Sequence, residues 1–304
     1  MRFGLFGGAH RATTGPSRDS QSYRTLADYV REGERLGFSS AFLVEHHFTG
    51  TGQVSAPLSL LSYLAGCTST MRLGTAVTVL PWHNPALLAE QAGTVDLLSD
   101  GRLDFGVGRG YRPNEFHGFG VDPSQARDRY EECLAIVLKA WSTEDRFSHE
   151  GRYWTYRDVI VEPKPVQKPH PPIWVASGSE AGIRDAAARG FHLLLDQFAS
   201  VDLTAQRVAW YRSAVEEAGR RYHPEDVAVT RGLLLLDTDD PARREQEIAK
   251  RVKLIARLRD SAQIPGSTEP LHAGDHAFFD DSAAATESAA IIGTPDECID
   301  RLRA

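Results

Sequence analysis

The chain has 304 residues, of which 41% are hydrophobic and 25% charged, so a substantial core is affordable and a disordered chain is excluded. A net charge of −7 gives no electrostatic reason to bind nucleic acid or an anionic membrane. Cys67, Cys133 and Cys298 are isolated and make neither a disulfide framework nor a zinc knuckle, no apolar run approaches the roughly 20 residues of a membrane span, and Met1-Arg2 runs into "FGLFGG" without a secretory pattern, which together predict a cytoplasmic enzyme or binding protein.

Short apolar runs alternate with amphipathic segments along the whole chain. "RFGLFG" (2–7) predicts a strand, and "YRTLADYVREGERLGF" (23–38) a helix ending at Gly37. "AFLVE" (41–45) predicts the next strand, "APLSLLSYLAGCT" (56–68) a helix with Pro57 in its first turn, and "RLGTAVTVLP" (72–81) a strand. "NPALLAEQAGTVDLLSDG" (84–101) predicts a helix capped by Asn84, with Pro85 at its first position and Gly101 after its end. "RLDFGVGRG" (102–110) is a strand running into glycines, "PSQARDRYEECLAIVLKAW" (123–141) is a long helix, and "YWTYRDVIVEP" lies in a hairpin insertion near 150–163. Further strands are predicted at 171–179, 191–198 and 227–237, with helices near 180–189, 201–219 and 241–260.

Seven strands in strict β/α alternation imply a parallel sheet within a single domain over 1–304, either doubly wound or a (β/α)₈ barrel. Polar and glycine residues fall at the carboxyl ends of many strands, which favours the barrel, since an open sheet concentrates function at one switch point. The segment after 260 is polar and rich in Gly, Ala and Ser, and "TPDECIDRLRA" begins a helix, so the last β/α unit is expected to be missing.

"EHHF" (45–48) follows a strand directly and admits three readings: a metal site, an acid/base or cofactor site, or a polar strand end without chemistry. Neighbouring strand residues point to opposite faces, so His46 and His47 cannot easily share one metal, and Glu45 with His47 supplies two ligands only. Gly106-x-Gly108-x-Gly110 departs from the dinucleotide spacing G-x-G-x-x-G. It reads as small residues against which a flat ring can lie, with Arg109 available for an anion, or as a tight turn with a surface arginine. "IWVASGSEAGI" (173–183) offers a helix N-terminus for phosphate, while Ser177-x-x-Glu180 is formally a capping box that needs no ligand.

Taken together, "EHHFTGTG", "RLGTAVTVLP", "HNPALLAEQAGTVDLLSDGRLDFGVGRG" and "IIGTPDECIDRL" resemble, in order and spacing, the bacterial luciferase-like family of flavin-dependent monooxygenases. The resemblance covers essentially the whole chain. It implies a (β/α)₈ TIM barrel with FMN at the carboxyl ends of the strands. His46 matches the family's catalytic histidine, and Glu45, grouped with it as catalytic, matches the residue before it, which supports the pocket. Ala76-Val77 match a non-prolyl cis peptide under the flavin ring, Arg109 the phosphate-binding arginine, and Ser177, Gly178 and Ser179 the phosphate loop. Glu115 matches an acidic position near the pocket, and the stretch near 260–292 a mobile active-site loop. Gly108 stands where luciferase carries a reactive cysteine, so light emission is not implied.

The resemblance further implies that reduced FMN and O2 oxidise a small organic substrate through a C4a-(hydro)peroxyflavin. Reduced flavin would come from a separate flavin reductase, because the chain has no nicotinamide motif. The alternatives are an F420-dependent oxidoreductase on the same fold and a non-catalytic partner subunit. A homodimer is expected through apolar residues of the helices at 56–68 and 84–101, Leu60 and Leu87 among them.

Overall fold

The computed structural model describes residues 1–9, 18–51, 53–264 and 287–303. They divide into two compact units, Met1–Ala176 and Ser177–Ala304.

The first unit alternates strand and helix: β1 (Gly4–Gly7), α1 (Arg18–Arg35), β2 (Ser40–Leu43), α2 (Pro57–Ala65), β3 (Arg72–Thr75), β4 (Thr78–Val79), α3 (Pro85–Leu98) and β5 (Leu103–Gly108). Then come a short helix α4 (Pro113–Phe119), α5 (Ala126–Ser142), an antiparallel hairpin β6 (Phe147–Glu150) and β7 (Thr155–Val159), and β8 (Ile173–Ala176). Its sheet runs β1-β2-β3-β5-β8, all parallel, with Phe6 opposite Phe42, Leu43 opposite Thr75, and Phe105 opposite Ile173. All six residues of β5, "LDFGVG", are buried, the pattern of a parallel strand covered on both faces. Behind it the Trp141 ring meets Phe105 edge-on at 5.2 Å and donates its indole N–H to Ala89 O at 3.0 Å.

The expected strand at 72–81 is interrupted. The Ala76–Val77 peptide is cis, and the chain resumes as β4, which pairs Val79 with Gly108 of β5. Asn84 caps α3 as its sequence predicts, its Oδ1 accepting from Ala86 N at 3.1 Å and Leu87 N at 3.2 Å.

The second unit holds α6 (Glu180–Ala188), β9 (His192–Leu195), α7 (Val201–Glu217), β10 (Val227–Val229), β11 (Gly232–Leu235), α8 (Pro241–Asp260), β12 (Ala290–Gly293) and α9 (Pro295–Arg303). β10 pairs in parallel with β9, and β11 with β12. Its core packs Ile183, Leu193, Leu195, Tyr211 and Val215 together. The expected strand at 227–237 is therefore two short strands hinged at Thr230-Arg231.

Two sequence expectations need correction here. The sequence yields no strand after 237, whereas β12 and α9 form a β/α unit in that stretch. "AIIG" is four residues long and follows an Ala/Ser-rich run, too short for any periodicity to register. Thr294 and Glu297 start α9 as a capping box, Thr294 N donating to Glu297 Oε2 at 2.8 Å. The loop expected near 260–292 falls mainly on 265–286, outside the described residues, and its C-terminal end is β12 instead of loop.

Candidate active site

β2 ends at Leu43, and the chain leaves the sheet as Val44-Glu45-His46-His47, held by Val44 N to Gly7 O at 3.1 Å and His46 N to Val54 O at 2.9 Å. Side chains still alternate over these residues, as extended backbone requires. The alternation sorts the two histidines onto two different carboxylates.

On one side, Glu45 is wholly buried and its carboxylate accepts four hydrogen bonds. Oε1 accepts from His47 Nε2 at 3.0 Å, Trp82 Nε1 at 2.9 Å and His83 Nε2 at 2.9 Å, while Oε2 accepts from Val79 N at 3.1 Å. Burial alone would raise this carboxyl, but the bonds from His47, His83 and Trp82 outweigh it and hold the group down to about 2. With no exposed surface, Glu45 cannot touch a substrate; it fixes the strand end and the turn after β4.

On the other side, His46 Nδ1 lies 3.0 Å from Glu115 Oε1, and the same oxygen accepts from His47 N at 2.9 Å. A carboxylate only accepts, so Nδ1 carries the proton and Nε2 presents its lone pair. Burial lowers His46 below its ordinary value, Glu115 opposes this, and the charge of Arg112 lowers it further. This direction favours the neutral imidazole, oriented by the buried Glu115, and among the described residues none bonds to its Nε2. The Tyr111 ring stands edge-on to it at 6.2 Å.

Glu115 arrives on α4, which the sequence reading missed by placing the first helix after β5 near 123. Pro113 at the helix start and Gly120 in the left-handed conformation after its end (φ 64°) were the available signal. Phe119 of α4 stacks on Trp82 at 5.0 Å and meets His47 at 4.8 Å. Arg112, only 2% exposed, and His83 also escaped sequence reasoning.

Gly108 ends β5 against the cis peptide. A Cβ there would come within 2.5 Å of Val77 Cγ2, so the close approach of the two segments requires glycine. Arg109 is exposed and makes no hydrogen bond or ion pair among the described residues. The first unit thus brings together His46 with Glu115, Glu45 with His47, and Val77 with Gly108. A cavity of about 310 Å³ lined by Trp82, His83, Phe119, Arg129 and Trp154 shares residues with the Glu45 network but contains none of His46, Arg109 or Glu115. Among the described residues, no group of three or more His, Cys, Asp or Glu is arranged to hold a metal.

Ser177, Gly178 and Ser179 belong to the second unit. Ser179, not Ser177, caps α6, its Oγ accepting from Gly182 N at 3.3 Å, and Glu180 pairs with Arg184 at 2.9 Å. The formal capping box of Ser177 and Glu180 is therefore not the cap in use. Gly178 O accepts from Arg207 Nε at 3.0 Å.

Parallel β/α units with functional side chains at their strand ends are the parts of a TIM barrel of the luciferase-like fold. The chain belongs to the luciferase-like monooxygenase family, which it matches over residues 1–304. It is 39% identical over 188 residues to the uncharacterized protein y4vJ of Sinorhizobium fredii, covering 62% of this chain and 52% of that one. Against the oxygenase component of flavin-dependent trigonelline monooxygenase from Acinetobacter baylyi it is 26% identical over 317 residues, covering 100% and 85%. The chain spans about half the length of the first two curated relatives it matches, 52% and 54%.

Among solved structures it is similar to the monooxygenase RslO1 from Streptomyces bottropensis, with TM-score 0.79, 28% identity and coverage of 100% and 88%. The oxygenating constituent of 3,6-diketocamphane monooxygenase from Pseudomonas putida, in complex with FMN, has TM-score 0.78 at 21% identity, covering 100% and 87%. An F420-dependent secondary alcohol dehydrogenase has TM-score 0.75 at 18% identity, covering 99% and 88%. These last two likenesses concern the fold alone.

Proposed function

We propose that this chain is the oxygenase component of a flavin-dependent monooxygenase, taking reduced FMN from a separate reductase and using O2 to oxidise a small organic substrate. The observation that carries the reading is the His46–Glu115 pair, a histidine held through Nδ1 at 3.0 Å by a buried carboxylate, with no bond to its Nε2 among the described residues. The residues fit a flavin: the cis Ala76–Val77 peptide lies against the Gly108 strand end, where a Cβ would meet Val77, and Arg109 is an exposed cation without an ion pair among the described residues. When bound, reduced FMN supplies the electrons and the activation of O2.

The rest is the work of this chain. His46 Nε2 accepts or returns a proton at the reacting edge, and the Glu115 carboxylate stabilises the imidazolium that forms when it does. Glu45 acts through His47, His83 and the Val79 amide as a positioning residue. Arg109 is assigned to the phosphate, and Ser177, Gly178 and Ser179 keep the phosphate contact that the family resemblance implies. The relative from Acinetobacter baylyi is the oxygenase component of its monooxygenase, which supports a separate reductase here. The camphane enzyme, alike in fold, is in complex with FMN. A cytoplasmic homodimer belongs to the same reading, supported by the exposed Tyr63 and Leu87 on α2 and α3.

The second reading is hydride transfer with F420, supported by the likeness to the alcohol dehydrogenase. Anaerobic titration of the purified chain with reduced FMN and with reduced F420, read by fluorescence, separates the two. Binding of FMN followed by O2-dependent product formation is the expected result. Tight binding of F420 with no response to FMN would replace the proposal by the second reading.

A further inference from the structure

Arg112 is the one arginine among the described residues that is buried outright, with 2% of its surface exposed, and the monooxygenase reading gives it no role. Its guanidinium makes two hydrogen bonds there, both long and both to neutral oxygens: Nε to Tyr111 Oη at 3.4 Å and Nη1 to Gln53 Oε1 at 3.5 Å. Its Cζ lies 5.8 Å from the centroid of the Tyr111 ring, near the limit of a cation–π contact. No carboxylate pairs with it among the described residues. Structural arginines of this chain look different. Arg72 holds Asp104 through two bonds at 2.7 and 2.8 Å, and Arg102 donates to the carbonyls of Ser99, Met71, Ala65 and Thr68 at 2.7–3.1 Å.

Arg112 also stands in the His46 neighbourhood. It is the residue before α4, and its carbonyl accepts from Glu115 N at 3.1 Å, so the guanidinium and the carboxylate that orients His46 belong to one turn. Tyr111, whose ring Arg112 overlies, is edge-on to His46 at 6.2 Å. The Arg112 charge reaches His46 and lowers it from its ordinary value. A buried cation is costly unless an anion or several good acceptors take its N–H groups. Packing of the stem alone does not select arginine, because a methionine fills such space without that cost. A buried guanidinium with weak neutral partners is an arrangement that a carboxylate completes, through paired N–H···O bonds. The chain carries a net charge of −7, which repels acids in general, so a local cation is what admits one.

We propose that Arg112 is the substrate anchor of the His46 site, and that the substrate is a small organic acid whose carboxylate pairs with its guanidinium. A single guanidinium matches the single charge of a carboxylate. That the acid is a substrate rests on the monooxygenase reading; that Arg112 binds an acid does not.

Benzoate and benzamide, alike in shape and different in charge, are the probes. Each is titrated calorimetrically at neutral pH into the flavin-free full chain, for the wild type, Arg112→Gln, Arg112→Lys and Arg212→Gln. The last removes an exposed arginine paired with Glu216 at 2.9 Å. The wild type and Arg212→Gln are expected to prefer benzoate over benzamide by roughly tenfold or more, the effect of a charge-assisted hydrogen bond. Arg112→Gln should bind the two alike, with benzamide affinity unchanged, and its Tm should not fall, because no carboxylate of the protein loses a partner. Arg112→Lys keeps the charge without the paired donors and should keep only part of the preference. If Arg112→Gln does not fold, Arg112→Lys decides alone, and a preference kept in full there overturns the proposal. No preference for benzoate in the wild type, or a preference that survives Arg112→Gln, overturns it as well. Repeating the benzoate titration with FMN present separates substrate from cofactor. Simultaneous binding is expected; displacement of benzoate by FMN would give Arg112 to the flavin and overturn the substrate class. Because the first titration contains no flavin, its failure leaves the monooxygenase reading standing. Failure of that reading leaves Arg112 as an acid-binding residue of another kind of enzyme.

Discussion

Glu45→Gln is the perturbation whose cost the structure specifies most fully. The carboxylate takes three donors on Oε1 and the Val79 amide on Oε2, with no water-exposed surface. A glutamine offers one oxygen and one NH2 group, so in either flip a donor faces a donor. An unsatisfied buried donor costs about 1–3 kcal/mol. The charge is lost as well: a carboxyl held at about 2 instead of 4.5 corresponds to roughly 3 kcal/mol of preference for the ionised form. The two contributions overlap, and the expected loss at pH 7 is about 3–5 kcal/mol, the range for breaking a buried charged pair. Equilibrium urea unfolding followed by tryptophan fluorescence measures it. Because the folded value lies below the unfolded one, the contribution is complete above about 4.5 and disappears as pH falls toward about 2. The gap between wild type and variant should therefore close over that window. A loss under about 1 kcal/mol at pH 7, the scale of an exposed ion pair, would refute the account of Glu45 as a buried anchor.

Arg109→Ala is expected to weaken FMN binding by roughly 1.5–3 kcal/mol and riboflavin binding far less; calorimetry showing equal losses would remove Arg109 from the phosphate. Gly108→Ala places a Cβ 2.5 Å from Val77 Cγ2, with an expected destabilisation of about 1–3 kcal/mol by overpacking. Adding Val77→Ala removes the atom that is struck and should restore thermal stability; no restoration would show that the clash lies elsewhere. Leu87→Glu, at a site 57% exposed, should fold and shift a homodimer to monomer by light scattering, and a wild type already monomeric at micromolar concentration would contradict the dimer. Leu60, at 8% exposed, is unsuitable as a probe, because burying a charge there would unfold the helix instead.

Much of the fold was legible because its signals are local. Asn84-Pro85 announced the start of α3, and the buried run of β5 and the glycines after it announced a covered strand meeting close neighbours. The alternation of side chains at Glu45-His46-His47 foretold that the two histidines would diverge. Their partners were not legible as contacts, because Glu115 lies 69 positions along the chain from His46 and its geometry depends on a helix of seven residues. That helix was hidden by its brevity, and β12 by the lack of any period in four residues.

The account rests on His46 as the group that handles the proton. The direct measurement is product formation from reduced FMN and O2 by His46→Ala and His47→Ala, with FMN affinity measured in parallel. His46→Ala should bind FMN nearly as the wild type does and lose oxygenation by ~10²–10⁴, the usual contribution of a positioned acid/base. His47→Ala should retain turnover and lose stability, since its Nε2 serves Glu45. Turnover abolished by His47→Ala and preserved by His46→Ala would contradict the central claim and make Glu45 with His47 the reacting pair.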